Sequence, residues 1–128
     1  MIVLLMGNPN VGKSAVFSRL TGAHVIASNY PGTTVELTEG TLRIDGGSAE
    51  VVDVPGTYSL EPTSPAEEVA VEMIQKADVI VNVVDATNIE RNLNLTIQLL
   101  QTGKPVVIAL NMWDDAIARG IEIDVTKL

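Results

Sequence analysis

Cysteine is absent from the 128 residues, which removes disulfides, thiolate metal centres and thiol redox chemistry. Histidine occurs once, too few for an imidazole metal cluster, and no clustered hard ligands suggest that the chain holds iron itself. Lys and Arg number 8 against 16 Asp and Glu, a formal net charge of −8. No Lys/Arg run interrupts that acidity, so a nucleic-acid surface is not expected. No apolar stretch approaches the roughly 18–20 residues that cross a bilayer. The chain opens without a basic-then-apolar leader, and the expectation is a soluble, cytosolic chain. Aromatics make up only 3% although 46% of residues are hydrophobic, so the core must be mostly Val, Ile, Leu and Ala. That β-branched wealth suits strands buried on both faces of a parallel sheet. The length allows one domain with one core.

The most informative stretch is Gly7-Asn8-Pro9-Asn10-Val11-Gly12-Lys13-Ser14. It follows the apolar run Ile2–Met6 and precedes a helical segment, Lys13–Thr21, stopped by Gly22. Strand, G-x-x-x-x-G-K-S loop and helix together form a phosphate cradle. Successive N–H groups wrap the phosphates, and the helix N-terminus adds partial positive charge. Lys13 would reach the terminal phosphates and Ser14 would hold Mg²⁺.

Along the rest of the chain, Phe17 and Leu20 form the packed face of the first helix. Ala23–Thr34 is polar, lacks a clear period and reads as a long loop. Val35 and Leu37, then Leu42 and Ile44, alternate in two phases that change around Gly40, where a bulge or bend is expected. Asp45-Gly46-Gly47 is a turn and Ala49–Val54 the return strand, an antiparallel hairpin. Thr57–Thr63 is a loop. Ser64-Pro65-Ala66-Glu67 opens a helix with a capping box, and Ala66, Val69, Ala70, Met73 and Ala77 mark its buried face. Val79–Val84 reads as a central parallel strand. A helix from Ile89 to Thr102 should pack through Leu93, Ile97 and Leu100, with Gly103 at its end. Pro105–Leu110 is the next strand, and Asp114–Arg119 a short helix ending at Gly120. The pattern implies an α/β fold, a doubly wound and mostly parallel sheet with one antiparallel hairpin strand.

Ligands in such sheets bind beyond the strands' C-terminal ends. The glycine loop, Asp53–Gly56 and Asn111–Asp114 all fall there. Asp53 is placed to hold a Mg²⁺-bound water, and the bare N–H of Gly56 to sense a terminal phosphate; alone, Asp53 reads equally as a turn cap. Asn111-Met112-Trp113-Asp114 would read a base. Guanine offers two donors on one edge, which an ionised Asp114 accepts and adenine cannot match; alone, Asp114 reads equally as a helix cap. In the polar loop, Thr34 or its neighbour Thr33 would offer a hydroxyl to Mg²⁺. His24 reads as a surface residue, and the sequon Asn94-Leu95-Thr96 sits mid-helix and is set aside.

Gly7–Ser14, Thr34, Asp53–Gly56 and Asn111–Asp114 resemble the first four signatures of the translation-factor-related GTPases. The stretches Asn29–Glu36, Asp53–Leu60 with Ser64-Pro65, and Asn92–Thr96 are closer still to the N-terminal G domain of the ferrous iron transport protein B family. The resemblance covers nearly the whole chain and implies a Ras-like P-loop GTPase fold. It favours Thr34 over Thr33 and implies that residues 23–36 and 55–65 are two nucleotide-sensing switches. It implies nucleotide contacts at Asn8, Asn10, Val11, Gly12, Lys13, Ser14, Ala15, Gly32, Thr33, Thr34, Asp53, Gly56, Asn111, Met112 and Asp114. Lys13, Thr34 and Gly56 would act on the reacting phosphate. Ser14, Thr34 and Asp53 would serve Mg²⁺, and Asn10 would hold K⁺, whose charge offsets that of the transition state. Thr57 stands where small GTPases keep a water-orienting Gln, so no general base is assigned.

The family's fifth motif, with its last strand and helix, is missing before Leu128. So are its helical regulatory domain and membrane permease, and Ile121–Leu128 reads as a lead-in with Asp124 as a cap. The implied function is a slow, potassium-stimulated GTPase switch that regulates ferrous iron transport from the cytoplasmic side of a bacterial inner membrane. Two other readings remain: a soluble ribosome- or tRNA-related GTPase, and a nucleotide-binding module with negligible hydrolysis.

Overall fold

In the computed structural model, which describes residues 1–22 and 25–112, one six-stranded sheet carries helices on both faces. The elements are β1 (Ile2–Gly7), α1 (Lys13–Thr21), β2 (Val25–Asn29), β3 (Glu36–Ile44), β4 (Gly47–Asp53), α2 (Pro65–Lys76), β5 (Val79–Asp85), α3 (Ile89–Leu100) and β6 (Val106–Asn111). The strand order is β2-β3-β4-β1-β5-β6. β1 pairs in parallel with β4 and β5, and β5 in parallel with β6. β3 alone runs against its neighbours, antiparallel to both β2 and β4. This is the doubly wound, mostly parallel sheet that the hydrophobic pattern implies.

Alternate residues of the central strands feed two cores. Leu4, Met6, Val52, Val54 and Ile80 pack with Val69, Met73, Leu95 and Leu99 of α2 and α3. Val3, Leu5, Val51 and Val83 pack with Phe17 of α1. Helix α2 begins as expected. The Ser64 hydroxyl accepts from the Glu67 N–H at 3.4 Å and donates to its carboxylate at 3.0 Å, with Pro65 in the first turn.

Three expectations are corrected. The polar stretch read as a long loop contains β2, whose five residues are all exposed. An edge strand with neither face buried carries no alternation, so its pattern is that of a loop. Gly40 makes no bulge, because β3 keeps one uninterrupted register against both neighbours. The phase change instead marks where the covered face switches. Leu37 faces the α2/α3 core, whereas Leu42 packs at the α1 core. A Cβ at Gly40 would lie 2.7 Å from Thr21 Cβ and Cγ2, so the glycine makes room for α1.

The third correction concerns α3, which ends at Leu100 rather than Thr102 and buries a different stripe. Asn92, Leu95, Thr96 and Leu99 are inside, while Leu93, Ile97 and Leu100 are exposed at 37%, 52% and 55%. One cause is Asn82, a buried amide on β5. The Thr96 hydroxyl donates to its Oδ1 at 2.6 Å, and its Nδ2 donates to the Met6 carbonyl at 3.4 Å. Leaving that amide unsatisfied would be costly, and the orientation that turns Thr96 to it also buries Leu95 and Leu99. His24, Asp114, Asp124, the Asp114–Arg119 helix and the 121–128 lead-in lie outside the described residues.

Truncation therefore separates the two stripes. Leu95→Ala is expected to destabilise the fold by about 2–5 kcal/mol and Ile97→Ala by less than about 1 kcal/mol. Urea denaturation of both variants checks this, and equal losses would contradict the observed orientation.

Candidate functional site

The C-terminal ends of β4, β1, β5 and β6 lie side by side, with Leu5 opposite Asp53, Gly7 opposite Val83 and Asp85 opposite Asn111. Above them the Gly7–Ser14 loop and Gly56 enclose a crevice of about 360 Å³ lined by Asn8, Pro9, Asn10, Gly12, Lys13, Ser14 and Gly56. Gly12 takes φ 80° and caps α1, which has no side-chain cap and no acidic residue in its first turn. The first-turn N–H groups and helix dipole are thus available to an anion. A Cβ on Gly12 would run into the Asn111 amide. One on Gly56 would sit 2.8 Å from Pro9 N and Cα. Gly56 thus permits a backbone-to-backbone approach at the crevice wall, and Gly12 makes room for the Asn111 side chain.

Lys13 reaches across the loop, and its Nζ donates to Asp53 Oδ1 and to the Val54 carbonyl. Both side chains are nearly enclosed, at 12% and 13% exposure. Burial pushes the Asp53 carboxyl above the ordinary carboxylate range, with the Lys13 ammonium pulling it back down. Among the described residues no three Asp, Glu or His gather as a ready metal cluster. A hard cation at this end of the sheet would rely on the Asp53 carboxylate, the exposed Ser14 hydroxyl and oxygens of its ligand, which is the donor set Mg²⁺ prefers.

Other expected residues take different positions. Asn111 Nδ2 donates to the Val11 carbonyl at 2.9 Å, so this side chain grips the phosphate loop itself. Val11 is a core residue at 3% exposure and offers only its backbone. Asn8 lines the crevice, but its side chain is engaged with α3, Nδ2 donating to the Arg91 carbonyl at 3.2 Å. Asn10 lines the crevice with φ 67°. Ala15 is exposed on the first turn of α1. Met112 takes φ 58° beside Gly12, and Asp114 lies outside the described residues. Gly32, Thr33 and Thr34 do not line the crevice. The Thr33 hydroxyl is committed to its own turn, donating to the Tyr30 carbonyl at 2.9 Å and accepting from the Val35 N–H at 3.1 Å. Thr34 is exposed.

Motif reading marked residues 55–65 as a switch but missed what anchors the 57–60 loop. Thr57 is buried, and its N–H donates to the Gly7 carbonyl at 3.0 Å. Tyr58 and Leu60 bond to side chains of α3. Only the spacing Arg91, Asn94, Gln98 on one helix face hinted at this.

The raised pKa of Asp53 has a stability consequence. Ionised Asp53 is disfavoured in the fold, so its contribution is most favourable below the ordinary carboxylate pKa. It is lost as pH rises through the folded value. Lys13→Met removes the influence that lowers this pKa, so Asp53 should titrate still higher and stability should fall more over that window. NMR titration of the Asp53 carboxyl carbon measures it; an unchanged or lower midpoint would refute the assignment.

The whole chain, residues 1–128, matches the family model for ferrous iron transport protein B. It is 47% identical over 98% of its length to an Fe(2+) transport protein A/Fe(2+) transporter FeoB fusion protein of Porphyromonas gingivalis. The cytosolic domain of L. pneumophila FeoB superposes with TM-score 0.91 at 45% identity, over 99% of this chain and 57% of that one. An S. thermophilus NFeoB mutant bound to GDP gives TM-score 0.92 at 47% identity, over 99% of this chain and 50% of that one. The chain spans 15% to 20% of the length of the transporter relatives it matches. No helix among the described residues is long and apolar enough to cross a membrane.

Proposed function

This chain belongs to the ferrous iron transport protein B family, and from that membership we propose that residues 1–128 form a GTP-binding and GTP-hydrolysing switch domain. The observation that carries the reading is the crevice at the end of β1, where Asn10, Gly12, Lys13, Ser14 and Gly56 surround a space of about 360 Å³. Backbone N–H groups at the start of α1 would bind the phosphates, and Lys13 would leave Asp53 to meet the terminal one. That exchange frees Asp53 to hold Mg²⁺ with Ser14 and, once the polar loop closes, with Thr34. When bound, Mg²⁺ neutralises charge developing between the β- and γ-phosphates. Guanine would be read by Asp114, with Asn111 supporting the phosphate loop.

Asn10 is the proposed K⁺ ligand. It lies on the crevice wall with an amide oxygen, a donor suited to a weakly hydrated monovalent cation. Thr57 is buried rather than turned into the crevice, which favours slow intrinsic turnover, since no side chain there orients water. The output would be control of ferrous iron passage through a membrane part of the longer protein. The nucleotide domain would then work on the cytoplasmic side of a bacterial inner membrane, alongside a helical regulatory domain. Family membership argues against the ribosome-related reading.

Calorimetry should find GDP binding at least ~10²-fold tighter than ADP, with Asp114→Ala erasing the difference; comparable wild-type affinities would reject the guanine assignment. Phosphate release should be faster in K⁺ than in Na⁺ for the wild type and equal in both for Asn10→Ala. Equal wild-type rates would reject the potassium role.

A further inference from the structure

Residues 57–63 connect the phosphate crevice to α2, and their anchoring is uneven. At the crevice end one backbone bond holds the loop, from the Thr57 N–H to the Gly7 carbonyl. The buried Thr57 hydroxyl meets no partner and adds nothing. Within the loop, the Glu61 N–H donates to Ser59 Oγ and the Thr63 N–H to the Glu61 carbonyl; these bonds fix it only to itself. Its external anchors in the middle come from α3. Arg91 Nη2 donates to the Tyr58 hydroxyl at 3.4 Å, and the guanidinium lies 5.4 Å from the ring centroid. Asn94 Nδ2 donates to the Tyr58 carbonyl at 3.4 Å. The Leu60 N–H donates to Gln98 Oε1 at 2.6 Å, while the Leu60 side chain rests half-buried on the core.

Positions 91, 94 and 98 form one row along a helix face. Two of the three contacts go to main-chain atoms, so they fix the path of the loop rather than the identity of its side chains. Gly56, four residues before Leu60, packs on Pro9 at the crevice wall. A loop released from α3 would leave the segment after Gly56 held by the single Thr57–Gly7 backbone bond. Ordering it again would cost conformational entropy in whichever state requires its N–H.

We propose that Arg91, Asn94 and Gln98 form a rail on α3 that positions Gly56 for the terminal phosphate, which makes them positioning residues for GTP hydrolysis. This rests on the GTPase reading above. GDP lacks the γ-phosphate that Gly56 would meet, so the rail supports turnover and leaves GDP affinity alone. Gln98 is the most informative member, because its role is that of an acceptor. Glu keeps an acceptor at that position and Leu removes it.

The experiment compares wild type, Gln98→Leu and Gln98→Glu by single-turnover GTP hydrolysis, GDP affinity and amide hydrogen exchange over residues 57–62. For Gln98→Leu, hydrolysis should fall about fivefold, the equivalent of one neutral hydrogen bond. Its GDP affinity should stay within about twofold, and exchange at the Leu60 amide should speed up. Gln98→Glu should restore both rate and protection. A wild-type rate in Gln98→Leu, a parallel loss of GDP affinity, or failure of Glu to rescue would overturn the proposal. A wild-type chain that turns over no GTP would overturn the GTPase reading and the catalytic role of the rail with it. The exchange data would still report whether Gln98 holds the loop.

Discussion

β1 is hydrogen-bonded along both edges and buried on both faces, with Leu4 and Leu5 fully inaccessible on opposite sides of the sheet. A one-residue slip would move every side chain into the wrong core and place the glycine loop at the wrong height. Everything functional hangs from that fixed register. It sets Gly7 level with Val83 and brings Asp53, two residues beyond Val51, within reach of Lys13. The cost of building a site from backbone is a loop that cannot hold its own shape. Asn111 supplies the missing support from β6 by bonding the Val11 carbonyl.

The Lys13–Asp53 pair is the electrostatic counterpart of that geometry. A carboxylate and an ammonium enclosed at the end of a sheet are held there mainly by each other, and both are groups that a phosphate with its cation would claim. On the proposed reading, an incoming anion would compete for Lys13 while its counter-cation would compete for Asp53, so neither charge need pass through an unpaired state. The same economy explains the absence of acidic residues from the first turn of α1, where a carboxylate would oppose the ligand.

Much of this was legible in the residues because the legible parts are periodic or local. The central strands β1 and β5, the capped start of α2 and the glycine loop follow from short-range pattern. Three features did not, each for a long-range reason. β2 is an edge strand defined only by its pairing to β3. Gly40 is explained by Thr21, nineteen positions earlier in sequence and on another element. The rotation of α3 follows from the stripe that combines the buried Leu95 and Leu99 with Thr96, which bonds the buried amide of Asn82. Of the site, the residue types were readable but their allegiances were not. Asn8 faces α3 and Asn111 faces the loop, choices that sequence spacing leaves open.

The placement of β1 also bears on how the protein is made. Its partners on one edge lie at Glu50–Asp53 and on the other at Val79–Val83. A chain synthesised from its N-terminus therefore exposes its most apolar strand long before either neighbour exists, and closing such distant parallel pairs is slow. The antiparallel run β2-β3-β4, whose strands are joined by residues 30–35 and by Asp45-Gly46, is the sheet fragment that local contacts alone can assemble. β1 can add to it once β4 has formed. The glycine loop gains its second wall only after Val83 has left the ribosome, so it is translated well before the strand that completes it.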